Sequence, residues 1–267
     1  MTVEKTMLAA VFRQYGGPEV VRHADLPMPV PKPGEVLVRV HATTVSSADW
    51  RVRSLTLPRG LGWAGRLMFG VFGPRKQILG TEFSGIVEAV GAEVTAFAPG
   101  EAVIGFPGGD LGAHAEFVVM AADGKILRKP DSLGFEEAAA VPFGGTTAYD
   151  FLFNKGDLQA GERVLVNGAS GATGSAFVQM AARAGARVTG VCSAANADLV
   201  TGLGAEEVID YTRQDFATGG ARFDVLIDTV GTAPWIRARK ALVPGGRMLL
   251  VAGNASDMLF GALKARR

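Results

Sequence analysis

The chain's 267 residues, 48% hydrophobic and 20% charged, suffice for two domains with cores of their own and exclude a disordered chain. Its 27 Lys and Arg balance 26 Asp and Glu, and with a net charge of +1 nothing suggests the electrostatic footprint of a nucleic-acid binder. A single cysteine, Cys192, excludes an internal disulfide and a Cys-rich zinc site, and His23, His41 and His114 match no metal-binding spacing.

The first six residues are polar and the short apolar run from Met7 ends at Arg13, which does not read as a signal peptide. No window approaches the ~18 apolar residues of a membrane span. A soluble cytoplasmic protein is the expectation.

From Met7 to about Ala121, short strands alternate with Gly and Pro punctuation. Pro27, Pro29, Pro31 and Pro33 block a helix and lead, extended, into residues 35–40, whose alternation runs on toward Val45. Residues 84–91, 101–106 and 113–120 read as further strands between turn signals, which predicts a mostly antiparallel β domain, partly a barrel. Residues 55–77 read as a loop-like insert bearing Trp63, Leu67, Met68, Phe69, Val71 and Phe72. The leading reading is an apolar lid over a substrate pocket. A segment packed on its own domain or at a subunit contact, and a membrane-surface element, stay open.

Beyond Ala121 the pattern changes. Helical signals run from Phe135 to Phe153, with a break at Pro142 and a second helix from Thr146 or Thr147. Apolar strands at 164–167, 186–192, 207–210, 223–228 and 247–251 then alternate with helices near 174–184, 195–203 and 233–242. Near-continuous apolar strands separated by helices predict a parallel, doubly wound sheet covered on both faces.

The chain is organised around residues 164–174. Val164, Leu165 and Val166 run into a turn with Gly168, Gly171 and Gly174, followed by helical spacing. Strand, tight turn and helix start make the setting in which backbone N–H groups and the helix dipole hold a pyrophosphate. The spacing is G-x-x-G-x-x-G rather than G-x-G-x-x-G, so an ordinary glycine-lined turn is the competing reading.

Tyr15-Gly16-Gly17-Pro18-Glu19-Val20, Pro33-Gly34-Glu35-Val36-Leu37-Val38, Leu79-Gly80-Thr81-Glu82-Phe83-Ser84-Gly85, Gly144-Gly145-Thr146-Thr147-Ala148, residues 167–174 and Val243-Pro244-Gly245-Gly246-Arg247 occur in order across residues 7–254. With them the chain resembles the medium-chain dehydrogenase/reductase superfamily, in its zinc-independent, zeta-crystallin-like quinone oxidoreductase branch. The resemblance implies a GroES-like substrate domain over residues 1–122 and a Rossmann-type dinucleotide-binding domain over 123–267. A sixth parallel strand, present in that family after the fifth, is missing from a chain that ends at Arg267. Many members dimerise through that sheet edge, so a homodimer is not favoured.

Zinc-dependent members carry a Cys where this chain has Ser46, three residues before Asp49, and a His where it has Thr81. Those positions no longer offer zinc its N and S ligands. The resemblance therefore implies hydride transfer to quinones or α,β-unsaturated carbonyls without metal, the acceptor carbon being electrophilic already. Ser46, Asp49 and Thr81 are the catalytic candidates, and the substrate is expected to be a hydrophobic carbonyl or quinone.

The dinucleotide is expected on Gly168, Ser170, Gly171, Ala172, Thr173 and Gly174. No carboxylate stands at residues 192–196 to repel a 2′-phosphate, and Ser193, with Tyr211 and Arg213 further on, favours NADPH over NADH. Asn196, also expected at the cofactor, stands where the resemblance implies a Lys in many quinone reductases. Helix capping is the competing role for Ser193 and Asn196, and a solvated charge for Arg213. Thr147, Gly231, Gly253 and Asn254 match positions lining the nicotinamide. Two other functions stay open: a zinc-free NAD(P)-dependent alcohol dehydrogenase, and a non-catalytic NADPH-binding protein like the crystallins or RNA binders of the branch.

Overall fold

The computed structural model describes residues 5–57, 62–220 and 222–253. The chain divides between Phe143 and Gly144 into two compact units.

The first unit begins with an antiparallel hairpin, β1 (Thr6–Phe12) and β2 (Val21–Pro27). Then come β3 (Glu35–Thr43), α1 (Ser47–Ser54), α2 (Gly62–Phe69), β4 (Phe83–Val90), β5 (Ala102–Gly105), β6 (Phe117–Ala121) and β7 (Ile126–Arg128). The last four strands join β3 in one antiparallel half-barrel sheet, in the order β6-β3-β4-β5-β7. Val36, Val38, Phe83, Val87, Val103 and Val118 meet on its inner side. A second cluster of Phe12, Val52, Leu79 and Leu111 ties β1 to α1. The short α3 (Phe135–Ala139) packs on β3 and β4, and the His41 ring stacks on Phe135 with centroids 4.4 Å apart.

The second unit holds α4 (Val141–Tyr149) from Gly144 onward, continued by a π-helical turn over Asp150–Lys155. β8 (Arg163–Asn167), α5 (Ala172–Arg183), β9 (Arg187–Cys192), α6 (Ala197–Gly202), β10 (Glu207–Asp210), β11 (Phe223–Asp228), α7 (Trp235–Ala238) and β12 (Leu242–Leu250) follow. The five strands are parallel, in the order β10-β9-β8-β11-β12. This is the expected doubly wound half. Successive residues of a strand face opposite sides. Val164, Val166, Val225 and Ile227 accordingly pack with Phe177, Val178 and Ala181 of α5 on one face. Leu165 and Leu226 pack with Phe216, Ala238 and Ala241 on the other. Both faces are covered, which is why β8 and β11 are apolar at consecutive positions through their middles, residues 164–166 and 225–227.

Several expectations need correction. The insert at 55–77 contains α2, and α1 stands where no helix was expected. The second helix after the break begins at Val141 rather than at Thr146, because Pro142 falls in its first turn, where a missing N–H costs nothing. The helix expected over 233–242 shrinks to α7, since β12 begins at Leu242 and crosses Pro244 and Gly245 with a shift of register against β11. No helix among the described residues is long and apolar enough to cross a membrane.

Phe177 is fully buried between α5 and the sheet, whereas Phe72 is wholly exposed. Phe177→Ala should cost about 3–5 kcal/mol through lost burial and the cavity left behind. Phe72→Ala should cost no more than about 0.5 kcal/mol. Urea unfolding followed by circular dichroism measures both, and equal effects would contradict this account of the core.

Candidate functional site

Between β8 and α5 the chain turns in four residues. Gly168 has φ +83°, a region costly to any residue with a Cβ. Gly174 lies beneath it, where an added Cβ would stand 2.0 Å from the Gly168 carbonyl oxygen. The turn spends part of its own hydrogen-bonding capacity. Gly168 and Ala169 donate their N–H groups to Val191 O at 3.1 and 3.0 Å, and Gly171 donates to Gly168 O at 3.1 Å. The N–H groups of Ala172, Thr173 and Gly174 open α5, have no carbonyl a turn behind them, and no side chain caps the helix at Gly171. Such a terminus suits an anion, and the glycines leave room for one to approach. These residues fit the diphosphate of a dinucleotide.

Polar side chains gather beside the turn. Asn196 Nδ2 donates to Ser170 Oγ at 3.2 Å and to Ser193 Oγ at 3.3 Å. Tyr211 and Arg213 follow β10, whose Asp210 pairs in register with Cys192. Asp210 is a carboxylate that inspection of residues 192–196 did not reveal, because it comes from the neighbouring strand. Hydrogen bonds from the Thr212 amide and hydroxyl hold it below the usual carboxylate range, helped by Arg213, whose Nε lies 3.7 Å away. Arg213 thus already faces one anion. Cys192 is a packed residue whose thiol is pushed up, first by burial and then by Asp210.

On the other side of the turn lies a buried polar knot that sequence reasoning missed. Asp228, at the end of β11, accepts from the amides of Val230 (3.1 Å), Gly231 (2.9 Å) and Ala233 (2.8 Å), and from Asn167 Nδ2 (2.9 Å). Thr229 Oγ1 donates to Asn167 O at 2.8 Å. The available signal was an Asp ending an apolar strand, a place where a buried carboxylate must collect donors. Gly231 faces Gly253, so the expected nicotinamide-side glycines do come together. Thr147 is half-buried on α4, three residues after Gly144, where a Cβ would meet Ala172 O at 2.8 Å. The helix carrying Thr147 therefore rests on the first turn of α5. Asn254 lies outside the described residues.

The three catalytic candidates belong to the first unit. Ser46 caps α1: its Oγ accepts from the Ala48 and Asp49 amides. Asp49 is buried, and its Oδ2 accepts from the Ser46 amide and hydroxyl, both at 2.8 Å. Its Oδ1 accepts from the Gly80 amide at 2.8 Å. Together they clamp the start of α1 to the loop before β4. Thr81 is different, because its Oγ1 is buried and has no hydrogen-bond partner among the described residues. Beside it Glu82, also buried, accepts from the Thr44 hydroxyl and from the Phe143 amide at 2.7 Å. Burial raises the Glu82 carboxyl above its ordinary range, its two hydrogen bonds pull it back, and the Asp49 charge adds to the rise. Sequence reasoning passed over Glu82, although it follows Thr81 directly.

A zinc ion does not fit these residues. Ser46 and Asp49 are committed to each other and to backbone amides. Among the described residues no three His, Cys, Asp or Glu side chains converge as a metal would require.

Two family models match the chain: the alcohol dehydrogenase GroES-like domain over residues 32–131, and the zinc-binding dehydrogenase model over residues 172–263. The chain is 37% identical to a quinone oxidoreductase of Pseudomonas aeruginosa over 257 residues, covering 94% of this chain and 74% of that one. It is 30% identical to the human quinone oxidoreductase over 268 residues, covering 96% and 76%. The solved structure of a quinone oxidoreductase from Coxiella burnetii superposes with a TM-score of 0.85 at 30% identity, covering 98% of this chain and 80% of that one.

The raised Glu82 carboxyl has a consequence for stability. The folded state holds this proton more tightly than the unfolded state, so the contribution is fully present below the ordinary glutamate range and is lost as pH rises through the raised folded value. Glu82→Gln should remove that decline. Its stability relative to the parent, from urea midpoints at acidic and neutral pH, should therefore improve as pH rises. A constant difference would show that Glu82 does not titrate in this window.

Proposed function

The chain belongs to the medium-chain dehydrogenase/reductase superfamily, in its quinone oxidoreductase branch, and from that premise we propose that it reduces quinones or α,β-unsaturated carbonyls with NADPH and without zinc. It is an oxidoreductase that uses a nicotinamide cofactor. The observation that carries the proposal is the glycine turn, which leaves the amides of Ala172, Thr173 and Gly174 without a side-chain cap at the start of α5.

The nicotinamide, when bound, supplies a hydride to an electron-poor carbon. The chain's residues do the rest. The first amides of α5 hold the diphosphate. Ser193 and Asn196 offer hydrogen bonds to a 2′-phosphate, and Arg213 offers charge. Gly231 and Gly253 with Thr147 border the nicotinamide, and the two glycines give a flat ring close access. Thr81 Oγ1, the candidate hydroxyl left without a partner among the described residues, donates to the acceptor's oxygen as negative charge grows on it. Ser46 and Asp49 act through Gly80, holding that hydroxyl in place. The final proton comes from water or a weak acid. A small hydrophobic substrate and a cytoplasmic setting belong to the same reading.

NADPH oxidation followed at 340 nm with a panel of small quinones should show turnover that a chelator leaves intact. Gly174→Val should abolish NADPH uptake in calorimetry and, because its Cβ would collide with the Gly168 carbonyl, lower the urea midpoint as well. Arg213→Gln should raise the KM for NADPH by about two- to fivefold, a small effect because the side chain is exposed, and leave that for NADH unchanged. Thr81→Val should lower kcat by at least about tenfold. Tight NADPH binding without turnover would favour the non-catalytic alternative, and NADP reduction by alcohols would favour the dehydrogenase.

A further inference from the structure

The sequence from Trp50 to Thr81 contains six Lys and Arg residues and no Asp or Glu, so the near-neutral net charge conceals one strongly basic stretch. Within it α2 and the turn after it are built to face two ways. Gly65 and Phe69 point inward, Phe69 packing on the cluster of Phe12, Val52, Leu79 and Leu111. At about 100° per residue, Trp63, Leu67 and Met68 fall on the outer side. They are 74%, 61% and 61% exposed, and Val71 and Phe72 continue the apolar surface at 47% and 105%. The segment is not a loose tail. Tyr15 donates its hydroxyl to Gly70 O at 2.9 Å, and the Phe12 amide donates to Gln77 O at 2.8 Å.

Around these side chains stand Arg66, Arg75 and Lys76, all exposed. The guanidinium groups donate to backbone carbonyls, Arg66 to Val71 O and Arg75 to Met68 O. Among the described residues neither pairs with a carboxylate. Lys76 meets Asp110 at 3.8 Å, a pair exposed on both sides and therefore weak.

We infer that this surface docks on an anionic lipid bilayer, with Trp63, Leu67 and Phe72 entering the headgroup boundary and Arg66, Arg75 and Lys76 meeting lipid phosphates. An apolar surface flanked by three cations, two of them without a carboxylate among the described residues, has the composition of an interfacial element. A second copy of the chain is a poor occupant, because a two-fold contact of this patch with itself would set two patches of the same positive charge against each other. The inference does not rest on the reductase reading.

The test is co-sedimentation of the whole protein with vesicles of phosphatidylcholine, either pure or mixed with phosphatidylglycerol. Binding should rise by about tenfold or more with the anionic lipid, and fall again as salt is raised. Trp63 emission should shift to the blue, and a Trp63→Phe variant should lose that shift. Trp63→Ser combined with Phe72→Ser should abolish binding, and Arg66→Gln with Arg75→Gln should weaken it, with circular dichroism and NADPH oxidation unchanged. Three outcomes would overturn the inference: no binding to anionic vesicles, equal binding to neutral ones, or full binding by the serine double variant. A concentration-dependent dimer in gel filtration that the serine variant loses would overturn it in favour of self-association. Loss of turnover by that variant with vesicle binding intact would overturn it in favour of a lid.

Discussion

The second unit depends on a close approach of two pieces of backbone, the Gly168 carbonyl and the Cα of Gly174. Any side chain at 174 would stand 2.0 Å from that oxygen, so α5 can start where it does only because glycine occupies its third position. The tight start leaves three N–H groups of the first turn pointing outward without partners in the helix. It also lets α5 lie flat on Val164 and Val166, burying Phe177 and Val178 beneath it. One steric constraint therefore sets both the packing of the unit and its capacity for a phosphate.

In the first unit the comparable constraint is electrostatic. Asp49 is buried with each oxygen bonded, and the bonds reach from the start of α1 to the backbone at Gly80. Glu82, two residues further on, collects donors from Thr44 and Phe143. A buried carboxylate stripped of water is tolerated only when donors replace the water. The loop around Thr81 is thus held on both sides by acids that have found partners, while the hydroxyl of Thr81 itself has none among the described residues.

The parallel sheet was legible in the sequence because strands buried on both faces carry consecutive apolar residues, and runs such as 164–166 and 225–227 have no helical reading of that length. α1 was not, since only Asp49 and Val52 of its eight residues are buried and the periodic signal is weak. Its S-x-x-D start was nevertheless a capping box in plain view. Reading Ser46 and Asp49 through the zinc site of their relatives drew attention away from that local role. α2 was hidden by Gly62, Gly65 and Gly70, which lower helix propensity and read as loop. The partnership of Asp210 with Arg213, and the place of both beside Cys192, required knowing that β10 lies next to β9. Pattern along the chain does not specify which strands are neighbours. Asp228 escaped for a similar reason: its donors arrive from Asn167 and from its own following loop.

Four donors on one carboxylate also bear on what a ligand meets when it arrives. The loop of residues 229–233 is tied at three of its amides to a side chain that itself sits at the end of a central strand. A loop fixed in this way has lost its conformational freedom during folding. Association then has less disorder left to remove, and more of the contact energy is realised as affinity.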